Sequence, residues 1–141
     1  MTRVYWDSML FIYLLEANPV FGPKARKILH QTMSRGDVVC TSVFSLGEIL
    51  TGARRRGSSS GVDAIKKHLL GGGIEILPFT ASTAGKYSSI RAEHKVSQAD
   101  AIHLASASEA GVDLFFTNDA ALRKLTIPGI KFFGDLDGKV I

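Results

Sequence analysis

Short apolar runs alternating with longer amphipathic stretches are the feature that most restricts this chain. Val4-Tyr5-Trp6, Val38 to Thr41, Ile74 to Leu77 and Val112 to Phe116 are nearly continuous in apolar character, with little of the in-out alternation of a half-solvated strand. The stretches between them place apolar residues at helical spacing. Strands without a polar face are buried on both sides. Strand–helix alternation of this kind predicts a mainly parallel sheet covered on both faces, an α/β three-layer sandwich.

Local signals set the boundaries. Val4 to Trp6 reads as a strand ending at Asp7, with a helix over Met9 to Leu15 closed by Asn18-Pro19, because proline disfavours helix at the residue before it. Pro23 to Met33 has helical spacing and stops at Gly36. After the Val38 strand, Ser42 is a good N-cap for a helix whose stripe is Val43, Leu46, Ile49, Leu50 and Ala53. That helix leaves through Arg54-Arg55-Arg56 into Gly57-Ser58-Ser59-Ser60-Gly61, which reads as a mobile surface loop. Val62 to Leu70 reads as a helix, Ile74 to Leu77 as a strand and Thr80 to His94 as a helix with Ala84, Tyr87, Ile90 and Ala92 inward. The Asp100 helix runs to Gly111 and precedes the Val112 strand. Ala120 to Leu125 makes one or two helical turns, and Lys131-Phe132-Phe133 is an edge strand.

Size and composition bound the function classes. A chain of 141 residues with 45% apolar content closes a core without staples and is most simply one domain, residues 1–141. The single cysteine, Cys40, lies in an apolar run and reads as a small core side chain of an intracellular protein. Met9 to Leu15 is too short to span a bilayer and no secretory signal is visible, so the expected location is the cytoplasm. A net charge of +4 permits attraction to phosphate backbones.

Ligands of parallel sheets bind outside the carboxyl ends of the strands, which sorts the acids. Asp7 and Asp119 follow strands and belong at that edge. Asp37 and Asp113 precede their strands and belong at the other. Glu75 lies within a strand, and Asp135 and Asp137 sit in a turn-like tail. Asp7, Asp100 and Asp119 all lie near helix starts, where a carboxylate also caps free N–H groups. Glu48 is mid-helix among apolar neighbours, past any capping role. It is either a solvent-facing glutamate or a carboxylate held at the edge, roughly 9 Å along the helix from Ser42 at ~1.5 Å per residue.

Four acids converging there would repel one another, and a divalent cation relieves that. Oxygen-only donors suit Mg²⁺ or Mn²⁺ and argue against zinc. Ser8 and Thr117 either orient a carboxylate or merely turn the chain. His103, in the apolar frame Ala101-Ile102-His103-Leu104-Ala105, reads as packing in preference to a general base. Arg54, Arg55 and Arg56 are candidates for RNA or partner contact, or simply a solvated helix end.

Tyr5-Trp6-Asp7-Ser8, Glu48, Asp100-Ala101-Ile102-His103-Leu104-Ala105 and Phe115-Phe116-Thr117-Asn118-Asp119, in this order, resemble the PIN-domain family, most closely its small VapC-type toxins. The resemblance covers roughly residues 4–133. Gln98, where similar proteins often carry a charge, and the serine-rich loop are mild departures. The resemblance implies a five-stranded parallel sheet and a metal-dependent ribonuclease. Asp7, Asp100 and Asp119 would be the metal ligands, and Glu48 would position water or metal, with Ser8, Thr117 and Asn118 behind them. It also implies a homodimer restrained by a cognate antitoxin.

Two of three rivals remain. One is an RNA-processing nuclease without an antitoxin, and another is a catalytically silent RNA- or protein-binding module. The third, a phosphoryl-handling enzyme of the haloacid-dehalogenase or receiver type, lacks its residues: Met9 stands where the former needs a second aspartate.

Overall fold

The structure is a computed structural model and describes residues 2–137. Five parallel strands form one sheet: β1 (Arg3–Trp6), β2 (Val38–Ser42), β3 (Glu75–Leu77), β4 (Val112–Phe116) and β5 (Ile130–Gly134). Their order is β3-β2-β1-β4-β5. β1 is therefore central, pairing Tyr5 with Cys40 on one side and with Phe115 on the other. The chain builds outward from β1 to β3, then crosses back to place β4 on the free side of β1. The strand order reverses between β1 and β4, which opens a crevice at their carboxyl ends.

Alternation along each strand divides the core into two layers. Val4, Trp6, Val39 and Phe116 face α1 (Ser8–Leu15), α2 (Phe21–Ser34), α3 (Val43–Arg55) and α4 (Ser59–Gly71). Tyr5, Cys40, Leu77 and Phe115 face α5 (Ala81–Glu93) and α6 (Gln98–Ala110). This is the expected three-layer sandwich. Each fully buried large side chain, such as Leu104 or Phe115, contributes on the order of 1.5–3 kcal/mol. Cys40 is a free, buried thiol pushed up to about 12 by burial, which suits a core role and no chemistry. Among the described residues, no helix is long and apolar enough to cross a membrane.

The structure corrects several local expectations. α1 ends at Leu15, before Asn18-Pro19, and the chain turns through Ala17 at φ 52°. Asn18 then starts the next helix, its Oδ1 accepting from Val20 N and Phe21 N at 3.0 and 2.8 Å. The serine-rich segment is not a loop throughout. Ser58 caps α4 by accepting from Gly61 N at 2.9 Å, and Ser59 to Gly61 form its first turn. Val43 is exposed and contributes to a surface groove. In α5 the inward positions are Thr83, Tyr87 and Ile90, while Ala84 and Ala92 face out. Thr83 is inward because it closes a capping box with Thr80.

The acids at the amino edge are engaged there. Asp113, the second residue of β4, accepts from Arg3 N at 2.9 Å and pairs with Lys131 at 3.0 Å. Asp37 pairs with Arg35, and Glu75 with Arg3. In the tail, Asp137 pairs with Lys24 at 2.8 Å.

Candidate active site

Asp7, Asp100 and Asp119 line one cleft of about 260 Å³, together with Met9, Tyr13, Thr117 and Asn118. It lies at the carboxyl ends of β1 and β4, where the strand order reverses. Each acid arrives by a different local device. Asp7 caps α1, its Oδ1 accepting from Met9 N at 3.1 Å and Leu10 N at 3.4 Å. Asp119 turns the chain after β4, its Oδ1 accepting from Ala121 N at 2.9 Å. Asp100 has no capping duty: the Ser97 hydroxyl caps α6 by accepting from Asp100 N at 3.1 Å. Capping thus accounts for one oxygen of Asp7 and of Asp119, and for none of Asp100.

Burial raises the Asp7 carboxyl to about 6, against the opposing pull of His103, the Thr117 hydroxyl and the backbone N–H groups of Leu10 and Met9. Below about pH 6 a cation entering here must displace the Asp7 proton. Thr117 is fully buried between two acids: its hydroxyl pulls the Asp7 carboxyl down and accepts from Asp119 N at 3.1 Å. Asn118 is exposed and donates to the Tyr13 hydroxyl at 3.4 Å.

Glu48 takes a different position from the other three. It lines the neighbouring groove of about 710 Å³, with Val43, Phe44, Thr51, Arg55 and Phe79 among its walls. Its Oε1 stands 2.8 Å from His103 Nε2, and the Ser8 hydroxyl is near enough to pull its carboxyl down. Burial alone would raise its carboxyl, but the His103 hydrogen bond and charge and the Ser8 hydroxyl outweigh this and hold it below the usual carboxylate range. Ser8 therefore contacts Glu48, while its neighbour Asp7 faces the acid cleft. Sequence reasoning missed Tyr5, whose hydroxyl stands 2.7 Å from His103 Nδ1, and Tyr13 on the cleft wall. A tyrosine inside a buried strand two residues before Asp7 was the available signal for the first.

Among the described residues, no three His, Cys, Asp or Glu side chains are drawn together tightly enough to hold a metal ion as they stand. The donor chemistry nonetheless fits a hard cation. Mg²⁺ keeps several of its waters and is commonly bound through one or two carboxylates, which a cleft walled by three separated aspartates can accommodate. The three arginines separate as well. Arg56 pairs with Glu16, Arg55 lines the Glu48 groove, and Arg54 is exposed.

Comparison with known proteins identifies the fold. No curated protein matches the sequence closely enough to count as a relative. A chain of the Rickettsia felis VapBC2 complex, crystallised with a DNA fragment from its promoter, superposes with a TM-score of 0.75 at 15% identity, covering 95% of this chain and 98% of that one. Mycobacterium tuberculosis VapC20, a toxin that cleaves the sarcin-ricin loop, gives 0.72 at 20% identity over 89% and 97%. DNA-bound VapBC from Salmonella typhimurium gives 0.69 at 23% identity over 96% and 99%. The family model for the PIN domain matches residues 4–128, and the chain belongs to that family.

Proposed function

We propose that this chain is a metal-dependent ribonuclease, a single PIN domain acting as the toxin of a toxin–antitoxin pair. The observation that carries the reading is the convergence of Asp7, Asp100 and Asp119 on one cleft at the carboxyl ends of β1 and β4. The likeness to solved VapC and VapBC structures supports the toxin assignment and an antitoxin partner, and the family resemblance carries with it a homodimer and a cytoplasmic site of action. It also favours a toxin over an RNA-processing nuclease of the same fold. The uncommitted Asp100 carboxylate argues against a silent binding module, which has no use for a third acid facing two others.

In the mechanism, Asp7, Asp100 and Asp119 would hold Mg²⁺ or Mn²⁺. The bound cation would supply Lewis acidity to activate water and to neutralise phosphoryl oxygens. The residues do the rest. Thr117 keeps Asp7 and Asp119 aimed at a common space, and Asn118 stands beside them at the mouth. Glu48, anchored by His103 and Ser8, holds the attacking water in line with the scissile phosphorus. Attack forms the new phosphorus–oxygen bond and breaks the bond to the 3′ oxygen, leaving a 5′-phosphate and a 3′-hydroxyl. Arg55, on the wall of the adjoining groove, meets RNA phosphates.

The test is cleavage of total RNA with Mg²⁺ or Mn²⁺ by wild type and Asp100→Asn, with mapping of product ends. Wild-type cleavage that EDTA and Asp100→Asn both abolish is expected. Activity persisting in EDTA or in the variant overturns the proposal.

A further inference from the structure

His103 projects from α6 into the junction of β1 and α3. Its ring is 4% exposed and is met edge-on by Tyr5 at 6.0 Å and Phe44 at 5.4 Å between centroids. Tyr5 is itself wholly buried and stacks on Phe115 at 4.8 Å. Packing alone would be satisfied by an apolar side chain here. Both ring nitrogens are nonetheless engaged. Nδ1 stands 2.7 Å from the Tyr5 hydroxyl oxygen and 3.3 Å from Ser45 Oγ, and Nε2 stands 2.8 Å from Glu48 Oε1.

Pairing rules leave the neutral ring one arrangement. A carboxylate only accepts, so Nε2 must carry the hydrogen that faces Glu48. Nδ1 then presents a lone pair, and the Tyr5 O–H donates to it. We propose that His103 is a positioning residue for Glu48: the Tyr5 hydroxyl on Nδ1 selects the Nε2–H form, and that N–H holds Oε1 so that the carboxylate keeps one orientation beside Ser8. A glutamate has three side-chain torsions, and this one is 32% exposed at the rim of an open groove. Without the imidazole it would sample that groove. The relay draws on β1, α3 and α6, so the fold itself fixes the carboxylate.

The catalytic consequence rests on the ribonuclease reading; the hydrogen-bond arrangement does not. Long-range ¹H–¹⁵N spectra of the metal-free protein are therefore expected to show His103 in the Nε2–H form, and Tyr5→Phe to shift it toward a mixture. A neutral Nδ1–H ring, or a ring carrying hydrogens on both nitrogens, in the wild type overturns the proposal, whatever the activity. In cleavage assays His103→Leu is expected to lower kcat about 10- to 100-fold, the range seen when a partner that orients a metal-site ligand is lost. KM for RNA stays within about twofold because no RNA contact is removed. His103→Gln, which keeps an N–H near the Nε2 position, recovers most of the loss. Tyr5→Phe loses a few-fold, and with His103→Gln it carries the test should the leucine variant fail to fold. Asp100→Asn is run beside them. If it is dead while His103→Leu cleaves at the wild-type rate, the positioning role falls and the ribonuclease reading stands. If the wild type itself does not cleave, that reading falls, and the spectra alone decide the His103 arrangement.

Discussion

The Thr41 hydroxyl donates to the Trp6 carbonyl at 2.7 Å, both residues being fully buried, and so ties β2 to the last residue of β1 immediately before Asp7. The chain leaves the sheet at this point, and Asp7 takes its direction from where Trp6 is held. Thr41→Val keeps the shape and removes the donor, leaving the carbonyl poorly satisfied in a dry core. A loss of roughly 1–3 kcal/mol is expected, read as a lower urea midpoint at unchanged m-value. A variant as stable as the wild type would mean that the bond contributes nothing net.

Asp7 makes the metal-free protein pH-dependent. Its carboxyl sits up at about 6 in the fold, above its value in an unfolded chain. Between those two values the folded state binds more protons than the unfolded one, so this residue's contribution to stability falls as pH rises through the window. A divalent cation must displace the same proton. Mn²⁺ affinity should therefore rise with pH up to about 6 and level off above it, with proton release detectable by calorimetry in buffers of different ionisation enthalpy. Asp7→Asn should stabilise the metal-free protein at pH 7.5, on the order of 1–2 kcal/mol, while weakening Mn²⁺ binding severely. An affinity flat from pH 5 to 7.5 would contradict this.

Thr117 separates two roles that the sequence left equal, orienting a carboxylate or turning the chain. Its hydroxyl pulls the Asp7 carboxyl down and accepts from Asp119 N. Thr117→Val should weaken Mn²⁺ binding about 10-fold or more, while Thr117→Ser, which keeps the hydroxyl, should stay near wild type. Equal affinities across all three proteins would leave Thr117 only the turn.

What was legible in the sequence was whatever depends on period and order. Apolar runs located the strands, and their carboxyl ends separated Asp7 and Asp119 from Asp37 and Asp113, which the structure holds at the opposite edge with Arg3, Arg35 and Lys131. Pairings between distant residues were not legible. Glu48 reaches His103 across 55 positions and His103 reaches Tyr5 across 98, so neither the groove-side place of Glu48 nor the polar duty of a histidine in an apolar frame can be read locally. Gly129 is a similar case. Its φ of +90° and the Ser108 carbonyl 2.4 Å from where a Cβ would stand admit only glycine, and nothing in Pro128-Gly129 announces the approach of α6. The serine-rich segment misled for a different reason, because one Ser58 cap converts a loop-like composition into a helix start.

The three consecutive arginines should behave unequally toward RNA. Arg56 is engaged with Glu16, an exposed pair whose loss changes stability by at most about 1 kcal/mol. Arg55 lines the same groove as Glu48, the acid proposed to hold the attacking water. An RNA strand crossing the cleft would place a phosphate within reach of Arg55 and not of Arg56. Binding is best measured in the Asp100→Asn background, where no substrate is consumed, by fluorescence anisotropy between 50 and 200 mM salt. Across this range a protein making several phosphate contacts loses on the order of 10³- to 10⁵-fold in affinity, enough to define a slope. Arg55→Glu should weaken binding at every salt concentration and make the log–log salt slope shallower by about one, the mark of a lost phosphate contact. Arg56→Glu should leave the slope unchanged. Equal slopes for both variants would move the RNA path off this groove.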